Sequence, residues 1–181
     1  MKTHSVKDLM VPLADYATVP EDATMYEAVM ALEKAQQEFD RSRYLHRAVL
    51  VYNKNKQIVG KVSQLDILKA LEPKYEQIED SRSISRFGYS RQFLKKMLDQ
   101  FSLWDKPLND ICKKASVIKV KDFMYTPTEG EYIEEQATLN EAVHQLVMGH
   151  HQSLLVTRGK EIVGILRVTD VFLEVCNTIK A

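Results

Sequence analysis

Ala23-Thr24-Met25-Tyr26-Glu27-Ala28-Val29 returns later in the chain as Ala137-Thr138-Leu139-Asn140-Glu141-Ala142-Val143, and this duplication decides the fold. Internal repetition of this kind marks a chain assembled from similar supersecondary units that stack on one another. Upstream, Val6, Lys7, Asp8 and Met10 return at the same spacing as Val120, Lys121, Asp122 and Met124. Downstream, Ile58-Val59-Gly60 and Asp66 return as Ile162-Val163-Gly164 and Asp170, at a shorter spacing. The first copy therefore carries an insert, placed at residues 33–45. Its charged, Arg-, Gln- and Glu-rich composition reads as extra helix turns plus a loop.

Within each copy the local chemistry is consistent. Thr24-x-x-Glu27 and Thr138-x-x-Glu141 are capping boxes, each opening a helix. Ala28, Val29 and Leu32, like Ala142, Val143, Leu146 and Val147, follow with helical apolar spacing, so one face of each helix is buried. The apolar runs Ala48 to Tyr52 and Leu154 to Val156 read as strands covered on both faces. Polar turns lead from them to partner strands around Val59 and Val163, and second helices begin near Ser63 and Arg167. With a short strand at residues 17–20 and at 132–134, each copy is βαββα, an α/β (α+β) unit. Such small units bury little surface alone and should pack together.

The expected division is a first repeat at residues 1–71, a connector at 72–116 and a second repeat at 117–181. Residues 77–90 are rich in Ser and Arg and read as a mobile or partner-facing loop. Behind Ser90 as a cap, Phe93, Leu94, Met97, Leu98 and Phe101 mark an amphipathic helix that Trp104 and Pro107 terminate. This helix should pack on the repeat core or form part of a subunit contact.

Lys plus Arg number 25 and Asp plus Glu 25, so no global positive field exists for a nucleic-acid backbone. The uncharged apolar stretches fall far short of the roughly 20 residues of a membrane-spanning helix. Cys112 and Cys176 lie far apart, and the amino terminus has no apolar leader segment, so a reducing cytoplasm is the expected address. His144, His150 and His151 cluster without HxxxH or CxxC spacing, and no metal site is expected. Nucleotide-binding, nucleophile-elbow and metalloprotease motifs are all missing, and only 6 glycines are available for phosphate-cradling loops. No enzymatic activity is expected.

The VKD-x-M lead-in, the AT-x-x-EAV helix start, the strand pair through IVG and the Asp six residues beyond that Gly resemble a tandem pair of cystathionine-β-synthase (CBS) domains, the Bateman module. The resemblance covers most of the chain outside the connector and insert. It implies two βαββα repeats related by pseudo-twofold symmetry, with clefts for adenosine compounds: AMP, ADP, ATP or S-adenosylmethionine. It also implies a regulatory sensor that forms a homodimer and signals to a protein partner by conformational change. The alternative is a ligand-free dimerising scaffold or protein-interaction module.

The family signature places a Ser or Thr and an Asp against ribose and phosphate, and Gly60-Lys61-Val62-Ser63-Gln64-Leu65-Asp66 fits it in full. Read locally, Ser63 and Asp66 are an S-x-x-D helix cap; the resemblance adds a carboxylate that accepts two bonds from a ribose diol. The second copy keeps Asp170 but replaces the hydroxyl residue with Arg167, which either forks onto a phosphate or fills the cleft. Thr169 is a candidate replacement cap. By position the resemblance adds Val19 and Ile133 in the segments that hold adenine, and His46, Arg47, His151 and Gln152 just before the second strands. His46 and His151 fall at equivalent places, and each also reads as an exposed turn histidine. Lys69 is placed to approach a phosphate, or to be a solvated helix lysine.

Overall fold

A computed structural model describes residues 4–38, 46–80 and 89–180. After a helical turn α1 (Val6–Leu9) and a two-residue strand β1 (Val11–Pro12), the first repeat runs β2 (Thr18–Pro20), α2 (Met25–Glu38), β3 (Ala48–Tyr52), β4 (Ile58–Ser63) and α3 (Gln64–Ala70). The connector holds α4 (Lys74–Asp80), α5 (Arg91–Gln100) and α6 (Leu108–Ala115). The second repeat is β5 (Tyr132–Glu134), α7 (Leu139–Gly149), β6 (Ser153–Arg158), β7 (Glu161–Arg167) and α8 (Val168–Lys180). Both capping boxes form as expected: the Thr24 amide donates to Glu27 Oε2 at 2.6 Å, and the Thr138 amide to Glu141 Oε2 at 2.7 Å. The insert extends α2 to 14 residues against 11 in α7, and its remainder, 39–45, lies outside the described residues.

One sheet is ordered β2-β3-β4 and the other β1-β7-β6-β5, so the chain's first strand belongs to the second repeat's sheet. The exchange is reciprocal. Val11 pairs antiparallel with Ile165, and its counterpart Tyr125 bridges Lys61 on the first sheet. The Val6 amide donates to the Ala137 carbonyl at 2.9 Å and the Val120 amide to the Ala23 carbonyl at 2.8 Å. Lys7 to Glu135 and Lys121 to Glu21 repeat the relation. These matched bonds are the signature of a pseudo-twofold axis, and they give the duplicated VKD-x-M segments their role as exchanged straps. Val6 and Val120 are fully buried in the other repeat's core, each contributing about 1.5–3 kcal/mol.

Strand alternation divides the interior. Val49, Val51 and Val62 face α2, and Leu154, Val156 and Leu166 face α7 and α8. Between the sheets lie Val11, Tyr16, Leu50, Leu155 and Ile165.

The connector departs from expectation at residues 77–80, which belong to helix α4 rather than to a loop; residues 81–88 lie outside the described ones. Ser90 caps α5 as expected, accepting from the Phe93 amide at 3.1 Å. This helix does not join the repeat cores: Met97 packs with Ile78 and Leu103 in a cluster of its own. The Glu72 carboxylate ties that cluster to the end of α3, accepting from the Trp104 amide at 2.8 Å. Helix α6, absent from the sequence reading, follows Pro107 and carries Lys113 and Lys114 in its last turn.

Both IVG glycines sit where a strap crosses the sheet. A Cβ on Gly164 would lie 2.6 Å from the Val11 carbonyl oxygen and 3.0 Å from Met10 Sδ, whereas on Gly60 its nearest neighbour is the pliable Met124 side chain. Gly164→Ala should therefore lower stability by about 1–3 kcal/mol, and Gly60→Ala by less, in urea unfolding. Equal, negligible effects would show that the straps are not packed this tightly.

Candidate functional site

A cleft of about 570 Å³ opens between the two sheets. Alternation turns Val62 into the core and sets Lys61 and Ser63 on the cleft wall, while Ser153 and Arg167 do the same from the second sheet. Asp66, Arg47, Tyr125, Glu131, His151, Gln152 and Thr169 also line the cleft. Arg47 and Gln152 hold matched places: their carbonyls accept the Gln64 and Val168 amides, each at 3.0 Å, anchoring the starts of α3 and α8.

Ser63 and Asp66 form the capping box read from the sequence. The Ser63 amide and hydroxyl donate to Asp66 Oδ2 at 2.7 and 2.6 Å, and the Asp66 amide donates back to Ser63 Oγ at 3.2 Å. Cap and cleft are not exclusive. Oδ2 serves the cap, Oδ1 takes no hydrogen bond among the described residues, and the half-buried side chain lines the cleft. The same carboxylate thus has an acceptor oxygen for a ligand hydroxyl.

In the second repeat the Arg167 guanidinium folds back on Asp170. Its Nε donates to Oδ2 at 2.7 Å and its Nη2 to Oδ1, with each side chain 7% exposed. Arg167 occupies the place before α8 that a cap would take, and Thr169 lies inside the first turn. Behind this pair His46 is buried, 1% exposed, with its ring edge-on to Tyr16 at 4.4 Å between centroids. Burial and the nearby Arg167 charge depress the His46 imidazole to about 4. Burial likewise pushes the Tyr16 phenol up to about 12.

The sheet registers, Ala48 opposite Ser63 and Ser153 opposite Arg167, make His46 and His151 equivalent in position. Their surroundings differ, because His46 is core and His151 is half-buried, lining the cleft and lying over Gly149. Val19 and Ile133 turn their side chains into the two repeat cores, away from the cleft. Lys69 lies farther along α3 and does not line it. Among the described residues, no three His, Cys, Asp or Glu side chains are grouped to hold a metal ion.

Sequence reading missed a polar cluster on the cleft wall. Lys61 Nζ lies 2.6 Å from Glu131 Oε1, and the Tyr125 hydroxyl donates to Glu131 Oε2 at 2.6 Å. Burial raises the Glu131 carboxyl, but bonds from Lys61, Tyr125 and the Thr128 amide outweigh it and hold it below the usual carboxylate value. The bond to Glu131 is the main reason that the Tyr125 phenol rises to about 12. The available signal was the mismatch between copies: Lys61 stands where the second copy has Ile165, Tyr125 where the first has Val11, and Glu131 where the first has Ala17.

Two outcomes test this electrostatic arrangement. Arg167→Ala strands a buried carboxylate and should destabilise by about 3–5 kcal/mol, while adding Asp170→Ala recovers much of the loss; a harmless single variant would contradict the pairing. The unfolded His46 imidazole takes up a proton below pH 6.5 while the buried one waits until about 4, so the folded state loses stability relative to His46→Gln as pH falls across that interval. Above pH 6.5 the difference between the two proteins is constant. Urea unfolding at stepped pH values reads this, and parallel curves would contradict a buried neutral imidazole.

The CBS domain family model matches residues 6–73 and 120–177. Among curated proteins no relative matches. Solved structures share the fold over nearly the whole chain. A CBS domain-containing protein from Bacillus anthracis str. Ames Ancestor has a TM-score of 0.61 at 15% identity, covering 97% of this chain and 94% of its own. CBSX2, solved in complex with AMP, has a TM-score of 0.60 at 18% identity, covering 98% and 99%. The CBS domain of a CBS domain-containing membrane protein from Sphaerobacter thermophilus has a TM-score of 0.61 at 16% identity, covering 95% and 88%. With two family matches spanning most of its length and two sheets exchanging their straps about a pseudo-twofold axis, this chain belongs to the CBS domain family, as a tandem pair.

Proposed function

We propose that the chain is a regulatory sensor that binds one adenosine-containing ligand, such as AMP, ADP, ATP or S-adenosylmethionine, in the cleft beside Ser63 and Asp66. The observation that carries this reading is the Asp66 carboxylate: one oxygen is committed to the helix cap, the other takes no hydrogen bond among the described residues, and the side chain lines a cleft of about 570 Å³, within the usual range for a small-ligand site. The complex of CBSX2 with AMP, on the same fold, supports the ligand class. Asp170 carries no second site in this reading, because Arg167 engages both of its oxygens. A ligand spanning residues from both repeats would favour one disposition of the sheets and pass that preference to a protein partner.

A second reading, a dimerising scaffold, draws on the apolar side chains left outside. Leu65 and Leu68 on α3 and Phe172 and Ile179 on α8 are all more than half exposed, a surface suited to a homodimer. Among the described residues no helix is long and apolar enough to cross a membrane.

Titration with AMP, ADP, ATP and S-adenosylmethionine, by calorimetry and thermal shift, separates the two readings. A ligand at about 100 times its dissociation constant should add about 2.7 kcal/mol of apparent stability. Asp66→Asn, which keeps one acceptor oxygen for the Ser63 amide, should remove that gain while the protein remains folded. A flat response to every compound, with a stable dimer in light scattering, would establish the scaffold instead.

A further inference from the structure

The cleft is asymmetric in charge, and that asymmetry bears on what it holds. Lys61 lies opposite Leu50 in β4 as Ile165 lies opposite Leu155 in β7. At the second position the interface is apolar: Ile165 is 1% exposed and packs with Val11 and Tyr16. Packing between the sheets is thus satisfied by an isoleucine in one half. In the other half stands a lysine, 16% exposed, on the wall of the cleft. Placing an ammonium there is unfavourable for folding unless it is paired, so packing alone gives no reason for it.

Its partner is held independently. Glu131 Oε2 accepts from the Tyr125 hydroxyl at 2.6 Å and from the Thr128 amide at 3.0 Å, leaving Oε1 to Lys61. Glu131 is therefore fixed by its own segment, whereas Lys61 reaches it from β4, its ammonium lying 5.1 Å from the Tyr125 ring centroid as well. Should an anion enter the cleft, Lys61 can turn to it while the bonds at Oε2 persist. Lys61 and Ser63 share a strand face about 7 Å apart, the scale of a ribose with its 5′ substituent. Arg47, exposed and lining the same cleft, adds a second cation.

We infer that Lys61 is the specificity-determining residue of this cleft, selecting a nucleoside carrying a 5′-phosphate over both the uncharged nucleoside and a cationic sulfonium derivative, with Glu131 holding the ammonium in place until the ligand arrives. The inference rests on the adenosine-ligand reading above and adds the class of ligand. A 5′-phosphate meets the ammonium in a charge-assisted bond. Adenosine leaves the ion pair undisturbed, and the sulfonium at the 5′ position of S-adenosylmethionine offers the ammonium no anionic oxygen to accept its bond.

Calorimetric titration of the full chain with adenosine, AMP and S-adenosylmethionine tests this. Wild type should bind AMP about tenfold or more tightly than adenosine, the effect of one charge-assisted bond. In Lys61→Ile, which installs the residue of the symmetry-related position, the ratio of AMP to adenosine affinity should fall by about tenfold. Lys61→Arg should restore the preference. Equal wild-type affinity for AMP and adenosine would overturn the selection while leaving the adenosine site standing, and this arm needs no variant to fold. Preference for S-adenosylmethionine, or equal loss of AMP and adenosine binding in a folded Lys61→Ile, would also overturn it. If none of the three compounds binds, the site reading fails and the selection with it.

Discussion

Two sheets face each other here because each is crossed by a strap that leads into the other repeat, and that crossing requires a residue with no side chain beneath it. At Gly164 the Val11 carbonyl approaches to a distance that a Cβ would violate, and Gly60 lies under Met124 and the Tyr125 carbonyl. The duplicated lead-in and the duplicated IVG, far apart in sequence, are the two halves of one steric contact. With the straps in place, Val6 and Val120 fill the cores of the opposite repeats, and Leu50 meets Leu155 between the sheets. The starts of α3 and α8 are then brought to one cleft.

The pseudo-twofold axis is obeyed by the backbone and broken by side chains. In the half that contains Asp170, Val11, Tyr16 and Ile165 close the interface, and Arg167 occupies the carboxylate. In the half that contains Asp66, Lys61 stands in place of Ile165, Tyr125 in place of Val11, Glu131 in place of Ala17 and Ser63 in place of Arg167, and Asp66 lines the cleft. Four substitutions between the copies thus separate an interface that packs from one that can receive a ligand. For a sensor this arrangement has a mechanical consequence. In the proposed reading, a ligand in the cleft beside Asp66 would act on the separation of the sheets there.

Much of this fold was legible in the residues because its determinants are local or repeated. The T-x-x-E boxes, the apolar strand runs and the turns report bonds made within a few residues, and the duplication fixed which blocks correspond. Helix α4 was not legible, because the residue that anchors it, Ile78, packs on Met97 and Leu103 from later in the chain. The site was half legible. Ser63 and Asp66 carry a pattern, but His46 reads as a turn residue until Tyr16 is packed against it, and the Arg167 fork has a partner only once α8 is formed. Lys61 needed the opposite inference, attention to where the copies disagree rather than where they match.

In the proposed reading Asp66 lies at the ligand site, whereas both carboxylate oxygens of Asp170 are held by Arg167. A crystal structure of the full chain grown with AMP tests it most directly. One nucleotide per chain is expected, its ribose diol on Asp66 and its phosphate within reach of Lys61, with the Arg167 to Asp170 pair intact. A nucleotide seated on Asp170, equal occupancy of both halves, or an unchanged cleft at saturating AMP would contradict it.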